Sequence, residues 1–175
     1  SRGIRQKFAK RLERKLIPQC DGIITVCQAI ADWYADAYGV DTPTVVRNLP
    51  RDYRGKRMDR TRALRDKFPI PDDEQLFLYQ GILGRGRRVR QYLEVFADLG
   101  RPYHIAFMGN GYFENEVQQS ALKHENVHYQ EAVPSEDILR HTASADIGLC
   151  GVENICFSYY YSLPNKLFEY MTAGI

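Results

Sequence analysis

Apolar residues recur four apart at Ile4, Phe8, Leu12 and Leu16, among Arg5, Lys7, Lys10, Arg11, Arg14 and Lys15. That spacing predicts a strongly basic helix with one narrow apolar stripe, stopped by Pro18. Asp21 and Gly22 turn the chain into a short buried strand at 23–26. A helix at 29–38 follows, with Gly39 as its C-terminal cap and Ile30, Trp33 and Ala37 sharing a face suited to core packing. A second short strand at 44–46 is closed by Asn48 and Pro50.

Residues 51–60 are polar and basic, lack periodicity and include Gly55, the composition of a linker between two packed units. A short helix at 61–68 and a turn at 69–73 lead into regular alternation. Strands are predicted at 76–79, 104–108, 127–129 and 146–150, and helices at 88–98, 113–123, 136–143 and 164–172. This is the rhythm of an α/β, Rossmann-like parallel sheet with helical crossovers. Its expected divisions are 1–50, a connecting segment at 51–74, and 75–175. Parallel sheets take ligands at the carboxyl ends of their strands, so the loops after Tyr79, Met108, Tyr129 and Cys150 are where chemistry is expected.

Of 175 residues 44% are hydrophobic and 26% charged, enough for a sizeable core and unlike a disordered chain. No apolar run approaches the roughly 20 residues of a membrane span, and no secretory signal opens the chain. A start at Ser1 and a finish at Ala173, Gly174 and Ile175, where a helix turns toward another strand, read as a fragment. Net charge is +2, yet residues 1–67 hold 16 basic against 8 acidic side chains and the remainder 8 against 14. Cys20, Cys27, Cys150 and Cys156 lack metal-ligand spacing and read as reduced thiols of a cytoplasmic protein. His104, His124, His128 and His141 are scattered, and none is assigned a role.

Gly81, Gly84 and Gly86 alternate with Arg85, Arg87 and Arg88 in the loop after the strand at 76–79. Glycines admit a backbone close to an anion and guanidinium groups match phosphate oxygens, although a solvated basic turn has the same composition. Gly109, Asn110 and Gly111 read first as a tight strand-to-helix turn, and second as ligand access to the sheet edge. The strongest candidate is 158–169, where Pro164 starts a helix carrying Asn165 and Lys166. Outward N–H groups, the positive end of the helix dipole and the lysine charge together form a pyrophosphate seat. Glu169, one turn on, could accept hydrogen bonds from vicinal hydroxyls such as those of a ribose, or simply complement the dipole. The backbone at 130–133 ends a strand where it could read the edge of a flat base, while Pro134, Ser135, Glu136 and Asp137 read as a helix start.

The order of these motifs resembles that of retaining, two-domain glycosyltransferases of the GT-B architecture, in particular the bacterial group 1 (family 4) enzymes. Cys20 to Ala31, Tyr38-Gly39 and Val45 to Pro50 resemble the end of their first, acceptor-side domain. Leu78 to Gly81 resembles the opening of their donor-binding domain. Ala145 to Leu149 and Leu163 to Met171 with Ala173-Gly174 resemble its signature stretch. On this resemblance the chain is an incomplete GT-B pair, and 75–175 binds a nucleotide diphosphate sugar as donor substrate, without metal or other cofactor. The resemblance implies that Gly81 and the backbone near Val133 lie against the donor and that Glu169 holds the ribose. Arg87, Lys166 and the amides of Leu163, Asn165 and Lys166 then grip the diphosphate; Arg85 and Arg88 are neighbouring alternatives to Arg87. Many relatives carry two glutamates eight positions apart, the second at Glu169; the first falls at Tyr161, which leaves the transferred sugar to Tyr161 or Ser162.

The implied acceptor is a saccharide or lipid-linked glycan in bacterial polysaccharide synthesis, in the cytoplasm or at the inner face of the membrane, with no nucleic acid partner. A nucleotide-sugar epimerase would also need a diphosphate seat, but should add acid–base carboxylates and histidines. A basic module binding anionic lipid or nucleic acid through residues 1–16 is the non-enzymatic alternative.

Overall fold

The computed structural model describes residues 2–49 and 58–175; Pro50, Gly55 and most of the stretch read as a linker lie outside them. The chain is mixed α/β with parallel sheets and helical crossovers, and it divides into two compact units. One comprises 1–48 with 161–163, the other 49–160 with 164–175.

In the first unit α1 (Arg2–Leu16) ends in a single 3₁₀ turn at Ile17–Gln19, where Pro18 interrupts the helix. Strands β1 (Ile24–Thr25) and β2 (Thr44–Val45) pair in parallel around α2 (Gln28–Tyr38). Gly39, at φ 65°, closes α2 by returning its N–H to the Ala35 carbonyl. Both strands are shorter than their apolar runs, and Ile24 and Val46 stay 72% and 55% exposed. The face expected of α2 also shifts: Ala31 is its buried residue, Trp33 is half-buried and Ala37 is exposed. Trp33 instead meets Tyr34 and Tyr38 edge-on, at ring separations of 5.4 and 5.6 Å. The stripe Ile4, Phe8, Leu12 and Leu16 is exposed along its whole length.

The second unit runs α3 (Ala63–Lys67), β3 (Gln75–Gln80), α4 (Val89–Leu99), β4 (Tyr103–Met108), α5 (Glu114–Ala121), β5 (Val127–Gln130), α6 (Ile138–Thr142), β6 (Ile147–Gly148), α7 (Phe157–Tyr160) and α8 (Asn165–Ala173). Its four strands are parallel in the order β5-β4-β3-β6. Period-two alternation distributes the core to both faces of the sheet. Tyr79, Ile105, Phe107 and Val127 meet Val89, Leu93, Phe96 and Val117 on one side. Leu76, Leu78, Ala106 and Met108 meet Leu64, Ala145 and Tyr170 on the other. β6 is two residues rather than the expected five, and α7 falls in a stretch too short for a helical period to be visible.

Two polar clusters tie the sheet to its surroundings. The Asp146 carboxylate accepts hydrogen bonds from Arg65 at 2.6 Å and from the Leu76 amide at 2.7 Å through Oδ2, and from Arg60 at 2.5 Å through Oδ1. Burial pushes its pKa up, but the Leu76 amide and the two guanidinium groups hold it below the usual carboxylate value. At the amino ends of β4 and β5, His104 bridges Glu74 through Nε2 and His128 through Nδ1, the latter at 3.0 Å. Phe68 stacks on His128 at 4.8 Å, and Arg101 pairs with Glu74. Burial, then the neighbouring His104, lowers the His128 pKa to about 4. Two of the four histidines are thus neighbours, joined by the pairing of β4 with β5.

Candidate functional site

The site is built at the carboxyl ends of the strands. β3 delivers Gln80 and Gly81, β4 delivers Met108 and Gly109, and the loop after β5 delivers Ala132 and Val133. The Gly81 amide donates to the Met108 carbonyl at 2.8 Å and the Gly109 amide to that of Gln130 at 3.0 Å, continuing the ladder past the strands. Gly109 sits at φ 145° with its α-carbon against the neighbouring loop, so that a β-carbon would fall 2.0 Å from the Gly81 carbonyl oxygen. Only glycine fits that approach. The glycines at 109 and 111 therefore serve loop-to-loop packing, and Gly109 also lines the cavity between these loops.

That cavity holds about 420 Å³ and is lined by residues of the second unit alone. Gly81, Arg87, Val133, Asn165, Lys166 and Glu169 are brought together on its walls. Arg85 is instead stacked on Tyr112 with its guanidinium 2.9 Å from the Tyr112 hydroxyl, and Arg88 stands at the start of α4 in a left-handed conformation. Ser162 and Leu163 cluster with the first unit and are not among the lining residues.

α8 begins one residue later than expected. Pro164 is extended, at φ −68° and ψ 139°, and occupies the cap position, so Asn165 and Lys166 supply the first amides of the helix. Lys166 is 8% exposed, and its ammonium lies 3.7 Å from the centroid of the buried Tyr79 ring. Burial lowers its pKa to about 8; Cys150 opposes that shift, Arg87 adds to it and Glu169 opposes it. The Tyr79 hydroxyl donates to the Ile82 carbonyl at 2.8 Å, which fixes the ring beneath the lysine.

Glu169 stands one turn along α8 with Oε2 2.5 Å from the Gln80 side-chain amide. The Thr142 hydroxyl in turn donates to Gln80 Oε1 at 2.8 Å. The sequence reading assigned neither Gln80 nor Thr142 a role in the site, although Gln80 falls within the stretch Leu78 to Gly81. The available signal was one glutamine closing the apolar run Leu76, Phe77, Leu78 and Tyr79. Among the described residues no group of three or more His, Cys, Asp or Glu side chains could hold a metal ion, and no helix is long and apolar enough to cross a membrane.

No protein-family model matches the sequence, and no curated protein does. Solved structures do resemble it. WaaG, a glycosyltransferase involved in lipopolysaccharide biosynthesis, superposes with a TM-score of 0.60 at 18% identity over 87% of this chain and 42% of its own. A mutant of S. aureus TarM in complex with Fondaparinux, alpha-GlcNAc-glycerol and UDP gives 0.58 at 10% identity, over 81% of this chain and 27% of TarM. The pneumococcal O-GlcNAc transferase GtfA in complex with UDP and GlcNAc gives 0.55 at 11% identity, over 94% of this chain and 31% of GtfA. The chain thus spans less than half the length of each of these structures. These neighbours are GT-B glycosyltransferases, and over most of its length this chain has their fold.

Proposed function

We propose that this chain belongs to a retaining glycosyltransferase, a hexosyltransferase, and that its second unit holds the donor, a nucleotide diphosphate sugar. The observation that carries the reading is the wall shared by Arg87, Lys166 and the first amides of α8, with Glu169 one turn beyond. As the bond from sugar to diphosphate breaks, negative charge gathers on the departing phosphates. Cations and amides fixed in a half-closed cavity favour that charge more than they favour the intact donor, which is the differential binding a transfer needs. Lys166 requires no reorganisation to act, because Tyr79 and the walls of the cavity already hold it in place. The backbone at Val133 would lie along the base, and Glu169 would receive the ribose hydroxyls. The reading uses no metal.

The UDP bound in two of the similar structures makes uridine the first base to test, and the saccharides bound with it support a saccharide acceptor. A lipid-linked glycan at the inner face of a bacterial membrane fits the basic α1, whose apolar stripe is exposed. The test is thermal melting with uridine, guanosine, adenosine, cytidine and thymidine diphosphates in turn. A ligand that binds the folded state raises its stability. At least one is expected to do so; no shift with any of the five would overturn the reading. Flotation of the full protein with anionic vesicles checks the membrane contact, and failure to float removes it.

A further inference from the structure

Leu76, Leu78 and Gln80 alternate along the same face of β3, so the glutamine takes the third place in an otherwise apolar row. It is 3% exposed, and a buried amide carries a desolvation cost that leucine would avoid. The hydrogen bonds around it have one consistent polarity. An ionised Glu169 can only accept, so Gln80 must present Nε2 to it, 2.5 Å from Oε2. Oε1 then faces Thr142, whose hydroxyl lies 2.8 Å from both that oxygen and the Ile138 carbonyl. The proton therefore goes to Gln80, since the opposite amide orientation would set two acceptors against each other.

We propose that Gln80, oriented by Thr142, positions the Glu169 carboxylate for the ribose of the donor, an inference that rests on the assignment of Glu169 to the ribose. Gln80 occupies Oε2 and fixes the plane of the carboxylate. Among the described residues no hydrogen bond reaches Oε1, which receives the incoming diol. One Nε2 hydrogen of Gln80 goes to Glu169 and Oε1 accepts from Thr142, so Gln80, whose side chain also lines the cavity, is assigned to act through Glu169 as a positioning residue.

The test is isothermal titration of the whole chain with the nucleoside diphosphate that stabilises it most, against the 2′,3′-dideoxy form of the same compound. Wild type should prefer the ribose form. Gln80→Leu should weaken that form by about five- to tenfold, the scale of one ordinary net hydrogen bond, and leave the dideoxy form unchanged. Thr142→Val should act in the same direction more weakly. Gln80→Glu should lose the preference near neutral pH and regain it in mild acid, where two adjacent carboxyl groups share a proton. If Gln80→Leu fails to melt cooperatively, the other two variants decide. An undiminished preference in the variants, or equal weakening of both compounds, overturns this inference and leaves the proposed function standing. If wild type binds both forms equally, the ribose assignment fails and the inference with it. Binding of none of the five diphosphates overturns both readings together.

Discussion

The Lys166 ammonium lies 3.7 Å from the centre of the Tyr79 ring, inside a wall that also carries Arg87. A cation held against an aromatic face and largely out of water is already desolvated, which strengthens its attraction for a phosphate. The same burial lowers its pKa to about 8, so its charge is lost within an accessible pH range. Nucleoside diphosphate affinity should be highest below pH about 8 and fall as pH rises through it. Stability of the ligand-free protein should move the other way. The unfolded chain keeps the lysine proton up to its ordinary pKa of 10.5 and the folded chain releases it near 8, so folding gains between those values. Titration calorimetry and denaturant unfolding at matched pH would check the opposed slopes.

Lys166→Met separates the two roles of the side chain. The thioether fills similar space without a charge, so the ligand-free fold should gain on the order of 1–2 kcal/mol near pH 7. Diphosphate binding should weaken by about 1–3 kcal/mol, as should binding to Glu169→Ala. Denaturant midpoints and titration calorimetry on the same samples give both numbers.

Gly109→Ala tests the backbone approach that floors the cavity. The new β-carbon would stand 2.0 Å from the Gly81 carbonyl oxygen, on a residue at φ 145°. Either loop must move, at a cost of about 2–4 kcal/mol, and diphosphate binding should fall with it. Gly22→Ala, with no atom within 4 Å of the added carbon, should be close to neutral and serves as the control.

Much of this arrangement could be read in the sequence, and what escaped has a physical reason. The strands at 76–79, 104–108 and 127–129 announced themselves because both faces of a parallel sheet are buried, leaving near-continuous apolar runs. Lys166 and Glu169 were legible because helix spacing and the proline fix them relative to one another. Gln80 and Thr142 were not, since they are 62 residues apart and meet only when α6 packs beside the carboxyl end of β3. His104 and His128 escaped for the same reason: the register that pairs Ala106 with His128 exists only in the assembled sheet. Trp33, read as core-facing, is half-buried and packs edge-on against Tyr34 and Tyr38 of its own helix.

Asp146→Ala should destabilise the second unit by about 2–4 kcal/mol, because Arg65, 5% exposed, would keep its charge without its carboxylate partner. The Asp146 pKa is held below its ordinary 3.8, so the stabilisation is complete above that value and is lost as pH falls through the lower, folded value. Urea unfolding between neutral and strongly acidic pH should show this loss in wild type and not in the variant.

His128 sets a second acid limit. Its folded pKa of about 4 lies below the ordinary 6.5, so the unfolded chain binds the extra proton first, and stability should fall as pH drops from about 6.5 toward 4. His128→Phe, which can preserve stacking on Phe68, should flatten the thermal melting profile across that interval.

These titrations sit at opposite rims of the same four strands, the histidine pair where β4 and β5 begin and Lys166 beside the rim where the strands end. Acid thus attacks the foundation of the domain while leaving its ammonium charged, and alkali disarms the ligand wall while leaving the foundation firm. Stability is therefore expected to decline as pH falls below about 6.5 and ligand affinity as pH rises above about 8, and a change at His128 should move the first edge without moving the second.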